Sequence, residues 1–221
     1  EAVDHLMEAV NFGARNISVV AELVAELTRY GRFSDAEEVL RQFEEQQQLP
    51  LVQAFGELAL DISIRTKNYD RALRVARMAV DGNPDDTEKR LWLAQVQALD
   101  GQLQAAEATF REALRRDPGN PGAWVGLIAF LSRQDQTDEC AELLAEIPNN
   151  VATELVPVTL AQSHEALGDT EAAERYYVQA LELDPERTDI IWKNVEFFLR
   201  NGDLQRAEQL LTELLDPERG V

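Results

Sequence analysis

The same apolar pattern returns along the chain about every 34 residues, and that recurrence limits the fold more than any single motif does. The clearest copy is residues 90–118, RLWLAQVQALDGQLQAAEATFREALRRDP. Leu91, Leu93, Ala94, Val96, Ala98 and Leu99 form a helix that is apolar on more than one side, as expected where neighbours cover both flanks. Gly101 ends that helix. Leu103, Ala106, Phe110, Ala113 and Leu114 then fall at helical spacing, with the small Ala106 and Ala113 allowing close approach to the first helix. Pro118 stops the second helix, since proline has no amide hydrogen and disfavours the helical conformation of the residue before it.

Copies of this pattern start near residues 17, 53, 87, 121, 154 and 188, so the spacings stay between 33 and 36. The corresponding boundaries are 17–52, 53–86, 87–120, 121–153, 154–187 and 188–221, preceded over 1–16 by what reads as the second helix of a truncated unit. Glycine marks the turn at Gly31, Gly101, Gly168 and Gly202, whereas the second copy has KNYD and the fourth RQDQ in its place. Prolines close most copies, and Pro148 is expected to close the fourth early. Stacked units of this kind share a core, so the sequence predicts one continuous repeat domain, cut from a longer protein.

In Leu93, Ala94, Gly101, Ala106, Phe110, Ala113 and Pro118 the chain resembles the tetratricopeptide repeat family. Two slots depart from the pattern: Arg90 stands where an aromatic residue is usual and Gln97 where tyrosine is. The resemblance implies an all-α fold, a right-handed α-solenoid of stacked antiparallel helix pairs. It also implies that the first helix of each pair lines a concave face whose inward residues select a partner.

Composition narrows the partner. There are 41 acidic against 21 basic residues, for a formal net charge of -20, and phosphate backbones are held by clustered lysine and arginine. No nucleic-acid partner is expected. No apolar run approaches the ~20 residues of a membrane span, and no membrane partner is expected either. The single Cys140 excludes an internal disulfide and does not settle the compartment, although a cytoplasmic location is expected over a secreted one.

No catalytic constellation is visible, and neither an enzyme activity nor a cofactor nor a metal is expected. His5 and His164 are the only histidines, lie in distant units and lack partners at zinc-site spacing. His164 occupies a slot where the resembled family often has tyrosine, which implies a packed, hydrogen-bonded ring. Cys140 falls in the small-residue slot that Ala106 and Ala173 fill elsewhere, so an inert buried thiol is expected.

Transferring the family's inward positions onto the first helices gives Glu57, Leu58 and Asp61, then Leu91, Trp92, Gln95 and Leu99, then Val125, Leu155, Val158 and Trp192 as partner-binding residues. Glu22 and Glu88 add to an acidic entrance around an apolar middle. Trp92 and Trp192 have two readings, groove anchor or core residue, which differ by one residue of register. The lysine and asparagine clamp of chaperone-tail binders is missing, because Ala21, Ala25, Leu58, Glu88 and Trp92 stand at those positions. The expected function is a non-catalytic scaffold for protein-protein interaction, taking a peptide or helical segment that is basic with apolar anchors. The alternatives are a spacer that self-associates through exposed ends around Leu6, Val10, Leu211 and Leu215, or an accessory domain of a larger enzyme.

Overall fold

The computed structural model describes residues 2–11, 17–47 and 51–214. Among them are thirteen α-helices, one short 3-10 turn at Thr153–Leu155 and no strand. A lead helix α1 (Ala2–Asn11) is followed by six pairs: α2 (Ile17–Arg29) with α3 (Phe33–Gln47), α4 (Leu51–Arg65) with α5 (Tyr69–Gly82), and α6 (Thr87–Leu99) with α7 (Leu103–Arg116). After these come α8 (Pro121–Ser132) with α9 (Thr137–Asn150), α10 (Val156–Ala166) with α11 (Thr170–Leu183), and α12 (Thr188–Arg200) with α13 (Leu204–Leu214). The chain divides into two compact units, residues 1–113 and 114–221.

One turn geometry joins the two helices of every pair. Gly31, Gly101, Gly168 and Gly202 take φ between 71° and 79°, and Lys67 and Asp135 take φ 58° at the equivalent places in the two turns that lack glycine. In each case the next amide reaches back across the helix end: Arg32 to the Leu27 carbonyl at 2.8 Å, Asn68 to Ser63 at 2.8 Å, Gln136 to Leu131 at 3.1 Å. This left-handed C-terminal cap suits glycine, which has no Cβ to crowd the following carbonyl. A Cβ built on Gly101 meets nothing within 4 Å, so only backbone strain opposes a side chain there. Lysine bears that strain, of about 1 kcal/mol or more, and aspartate tolerates it better. Lys67→Gly is therefore expected to stabilise the protein by roughly 0.5–1 kcal/mol, Asp135→Gly by less, and Gly101→Ala to destabilise it by about 1 kcal/mol. Urea denaturation of the three variants checks the order.

In the first unit, α2 gives Val20, Leu23, Val24 and Leu27 to the core, α4 gives Ala59, Leu60 and Ile62, and α5 gives Ala72, Val75 and Ala76. From α1 to α6 each helix packs against the next in sequence, and α2 also lies beside α4, the first helix of the following pair. Small residues recur where the helices come closest: Ala36, Ala59, Ala72, Ala76 and Ala94 are fully buried. The α4 helix is broken at Phe55 (φ -145°, ψ 19°), whose buried ring meets Phe43 of α3 edge-on at 5.7 Å.

The second unit is built on the same plan, with Val158, Ala161, Ala173, Tyr177, Ala180, Ile190, Ile191, Val195, Phe197 and Phe198 in one core cluster. Pro148 departs from expectation, because α9 runs through it to Asn150. Near a helix C-terminus a proline removes one hydrogen bond without breaking the remaining turn. Val151 is then buried, and the 3-10 turn delivers the chain to α10 with Pro157 in its first turn, where a missing amide hydrogen costs least.

Candidate ligand recess on the first helices

Two first helices of the first unit, α4 and α6, line a recess of about 380 Å³. From α4 come Glu57, Leu60, Asp61 and Ile64, one helical face at spacings of three and four residues. From α6 come Glu88, Trp92 and Gln95 on the same spacing. Leu60 is buried and Ile64 and Trp92 are half-buried against the core, so the floor is apolar and fixed. The rim carries three carboxylates. Asp61 accepts from Arg65 at 2.8 Å, and the Arg65 guanidinium also lies 4.9 Å from the Phe33 ring centre. Lys89 lies 3.1 Å from Asp86. Asp86 caps α6 by accepting from the Lys89 amide, and the hydrogen bond from the Lys89 side chain holds its carboxyl below the usual carboxylate range despite some burial.

Four expected residues, Glu57, Asp61, Trp92 and Gln95, are thus brought together. Trp92 combines both of its readings, since it packs on the core and faces the recess. Leu58 is half-buried against the core, and Leu99 is exposed at the end of α6. Two assignments are corrected. Leu91 is 4% exposed and Val158 3% exposed, so neither offers a surface to a partner. Both lie in helices covered on two flanks, where apolar residues on all sides leave periodicity no way to tell inward from outward. Glu88, expected at the acidic entrance, also lines the recess, together with Leu60 and Ile64, which were absent from the expected partner set. The three-and-four spacing of Leu60 and Ile64 after Glu57 is the signal that could have found them.

In the second unit Val125 and Leu155 are half-buried, and Trp192 stands 47% exposed on α12. Of the ends expected to self-associate, Leu6 and Leu211 are half-buried against their units' cores. The Val10 side chain and Leu215 lie outside the described residues.

The remaining reactive side chains have structural roles. His164 Nδ1 is 3.2 Å from Asp169 Oδ2, and its ring stacks on Tyr176 at 5.4 Å. Cys140 is buried with Sγ 3.7 Å from the Ile128 carbonyl, and burial pushes its thiol up. No group of three or more metal-ligating side chains is found among the described residues. Nor is any described helix long and apolar enough to cross a membrane.

Among the described residues Tyr177 is the most strongly perturbed group. Its hydroxyl donates to Glu165 at 2.9 Å, and Glu165 in turn accepts from Arg200 at 2.8 Å. Burial first, then the Glu165 charge, push the phenol well above its ordinary value of 10.0. An unfolded chain ionises this phenol above about pH 10 while the folded one keeps its proton, so stability is complete below that pH and falls as pH rises beyond it. The expected loss is about 1.4 kcal/mol per pH unit from this one group. Chemical denaturation from about pH 9 to 12 should show almost no loss from this group at the start and approach that slope at the end, and Tyr177→Phe should remove it.

Six helix pairs joined by one turn geometry, with a side-chain-lined recess on successive first helices, define an all-helical repeat protein. A sequence profile for the Tetratricopeptide repeat matches residues 97–156 and 165–220, and a second profile of the same description matches residues 64–121. The chain belongs to the tetratricopeptide repeat family. Cellulose synthase operon protein C of Pseudomonas fluorescens (strain SBW25) is 34% identical over 142 residues, 60% of this chain and 11% of that protein. The protein of the same name from Xanthomonas axonopodis pv. citri (strain 306) is 32% identical over 118 residues, 53% of this chain and 7% of that protein. The chain thus spans about a tenth or less of the length of these two relatives. Among solved structures, a thermophilic TPR protein of Thermus thermophilus superposes with a TM-score of 0.51 at 17% identity, covering 83% of this chain and all of that one. A tetratricopeptide repeat protein from Parabacteroides merdae ATCC 43184 gives a TM-score of 0.51 at 15% identity, covering 90% of this chain and 78% of that one. These two likenesses show the fold.

Proposed function

We propose that the chain is a non-catalytic scaffold that binds a peptide or helical segment of another protein across α4 and α6. The observation that supports this reading is the recess itself: a fixed apolar floor with a tryptophan, rimmed by polar groups, on a face whose residues the helix pairing leaves open to solvent. Trp92 is the anchor, and Leu99 and Leu58 extend the apolar surface beside it. On the second unit, taken by itself, Val125, Leu155 and Trp192 are the proposed partner contacts. Binding is by preformed surface complementarity, with no bond made or broken.

The test is selection of random displayed peptides on the immobilised protein, followed by affinity measurement against Trp92→Ala. Loss of about 30-fold or more in affinity with helicity unchanged is the expected result, since an aromatic anchor in a pocket contributes about 2 kcal/mol or more. Selected peptides that bind both proteins equally would contradict the reading.

The kinship with cellulose synthase operon protein C favours a companion reading, in which the chain is a protein-binding stretch of a longer repeat protein that serves polysaccharide synthesis. Deleting the parent gene should then reduce secreted polysaccharide while leaving growth intact. Unchanged polysaccharide would rule that role out.

A further inference from the structure

Within the scaffold reading just given, on which this step rests, we propose that the recess between α4 and α6 takes an arginine side chain presented by the partner. Its size admits a partner side chain: at about 380 Å³ it lies near the small end of ligand sites, which run from ~300 to 1,000 Å³. Its charge selects a cation. Three of the seven lining residues are the carboxylates Glu57, Asp61 and Glu88, and the lining contains no lysine or arginine. Arg65 is engaged with Asp61 and Phe33, and Lys89 with Asp86. The charge of Asp61 is thus already balanced by Arg65, Glu57 and Glu88 are the further acidic lining residues, and the chain's net charge of -20 draws a basic segment toward them.

The choice of arginine over lysine follows from shape. Leu60, Ile64 and the Trp92 indole suit an aliphatic stem and a flat, weakly hydrated guanidinium that stacks on the ring. The carboxylates come from two helices, Glu57 and Asp61 on one and Glu88 on the other. A guanidinium has five donors in a planar fork and reaches both sides at once, whereas an ammonium is a compact, strongly hydrated point charge. Gln95 adds a side-chain amide carbonyl to the acceptors. The same interaction weakens with salt, because the rim is open to solvent.

N-acetyl-arginine methylamide, its lysine counterpart and its citrulline counterpart provide the probes. Citrulline keeps the shape of arginine and lacks its charge. The readout is the indole N–H resonance of Trp92 in the intact chain, with Trp124 and Trp192 as internal controls. Arginine is expected to shift the Trp92 signal saturably. Lysine should bind more weakly, citrulline about tenfold or more weakly than arginine, and Glu57→Gln/Glu88→Gln should lose the arginine response without altering the Trp124 signal. Equal responses to arginine and citrulline would overturn the proposal. So would display-selected peptides that shift Trp92 without carrying an arginine, and that result would leave the scaffold reading standing. If neither the arginine probe nor any selected peptide moved Trp92, both would fall.

Discussion

Glu37→Ala is expected to lower stability by about 3 kcal/mol, the range measured when one member of a buried ion pair is removed. Glu37 joins α3 to the next helix pair. Its carboxylate accepts from the Asn68 side-chain amide at 2.8 Å and from Arg71 Nη1 at 3.3 Å, and it lies 3.5 Å from the Ser63 hydroxyl. The Arg71 side chain is only 3% exposed and that of Glu37 15%. Its backbone carbonyl receives Arg71 as well, at 3.3 Å. Asn68 also caps α5 by accepting from the Arg71 amide, so the same cluster fixes both the start of α5 and its seat on α3. Removing the carboxylate strands a buried guanidinium, whose other interactions keep the cost at the lower end of the range. Replacing both partners, as Glu37→Leu/Arg71→Met, should cost far less, because no uncompensated charge remains. In a stacked repeat the damage should stay local. Hydrogen exchange is expected to quicken in α3, α4 and α5 of the single variant while the amides of α11 and α12 keep their protection.

Trp124→Ala should cost about 3–5 kcal/mol, through lost burial and the cavity left behind. The indole is 2% exposed, and its N–H donates to the Pro118 carbonyl at 2.8 Å, tying α8 to the loop that leads into it. Trp124→Phe keeps much of the volume and loses the donor, so about 1–2 kcal/mol is expected. One repeat earlier the equivalent slot holds Arg90. Its guanidinium donates from Nη2 to the Pro84 carbonyl, the same connection made by different chemistry, and Nη1 is buried without a hydrogen bond. Arg90→Trp is accordingly expected to be neutral or stabilising, within about 1 kcal/mol. Thermal and urea denaturation of the three variants check the sequence of effects.

These two slots also show where sequence reasoning reaches and where it stops. Some helix starts coincide with the expected unit starts, α6 at Thr87, α8 at Pro121 and α12 at Thr188, while α4 at Leu51 and α10 at Val156 each lie two residues from theirs. Arg90 looked like a defect because a consensus of residue types says nothing of a carbonyl six residues back that accepts from either an indole or a guanidinium. Lys67 and Asp135 were legible as turn positions from the repeat register, but their φ of 58° is visible only in the backbone. The surface set was harder. In α6 and α10 apolar residues surround the axis, so Leu91 and Val158 could be told from outward residues only by their burial. The polar side of the recess was easier, since Glu57, Asp61 and Gln95 have no favourable place in a core. Trp92 needed the structure, because it packs on the core with part of its ring and leaves the rest in the recess.

Ligand binding across α4 and α6 is the central proposal. Hydrogen exchange of the intact chain with and without a display-selected peptide at saturating concentration measures that location directly. New protection confined to α4 and α6, and lost in Trp92→Ala, is the predicted result. Protection that appears instead on the second helices α5 and α7, or that persists unchanged in Trp92→Ala, would contradict it.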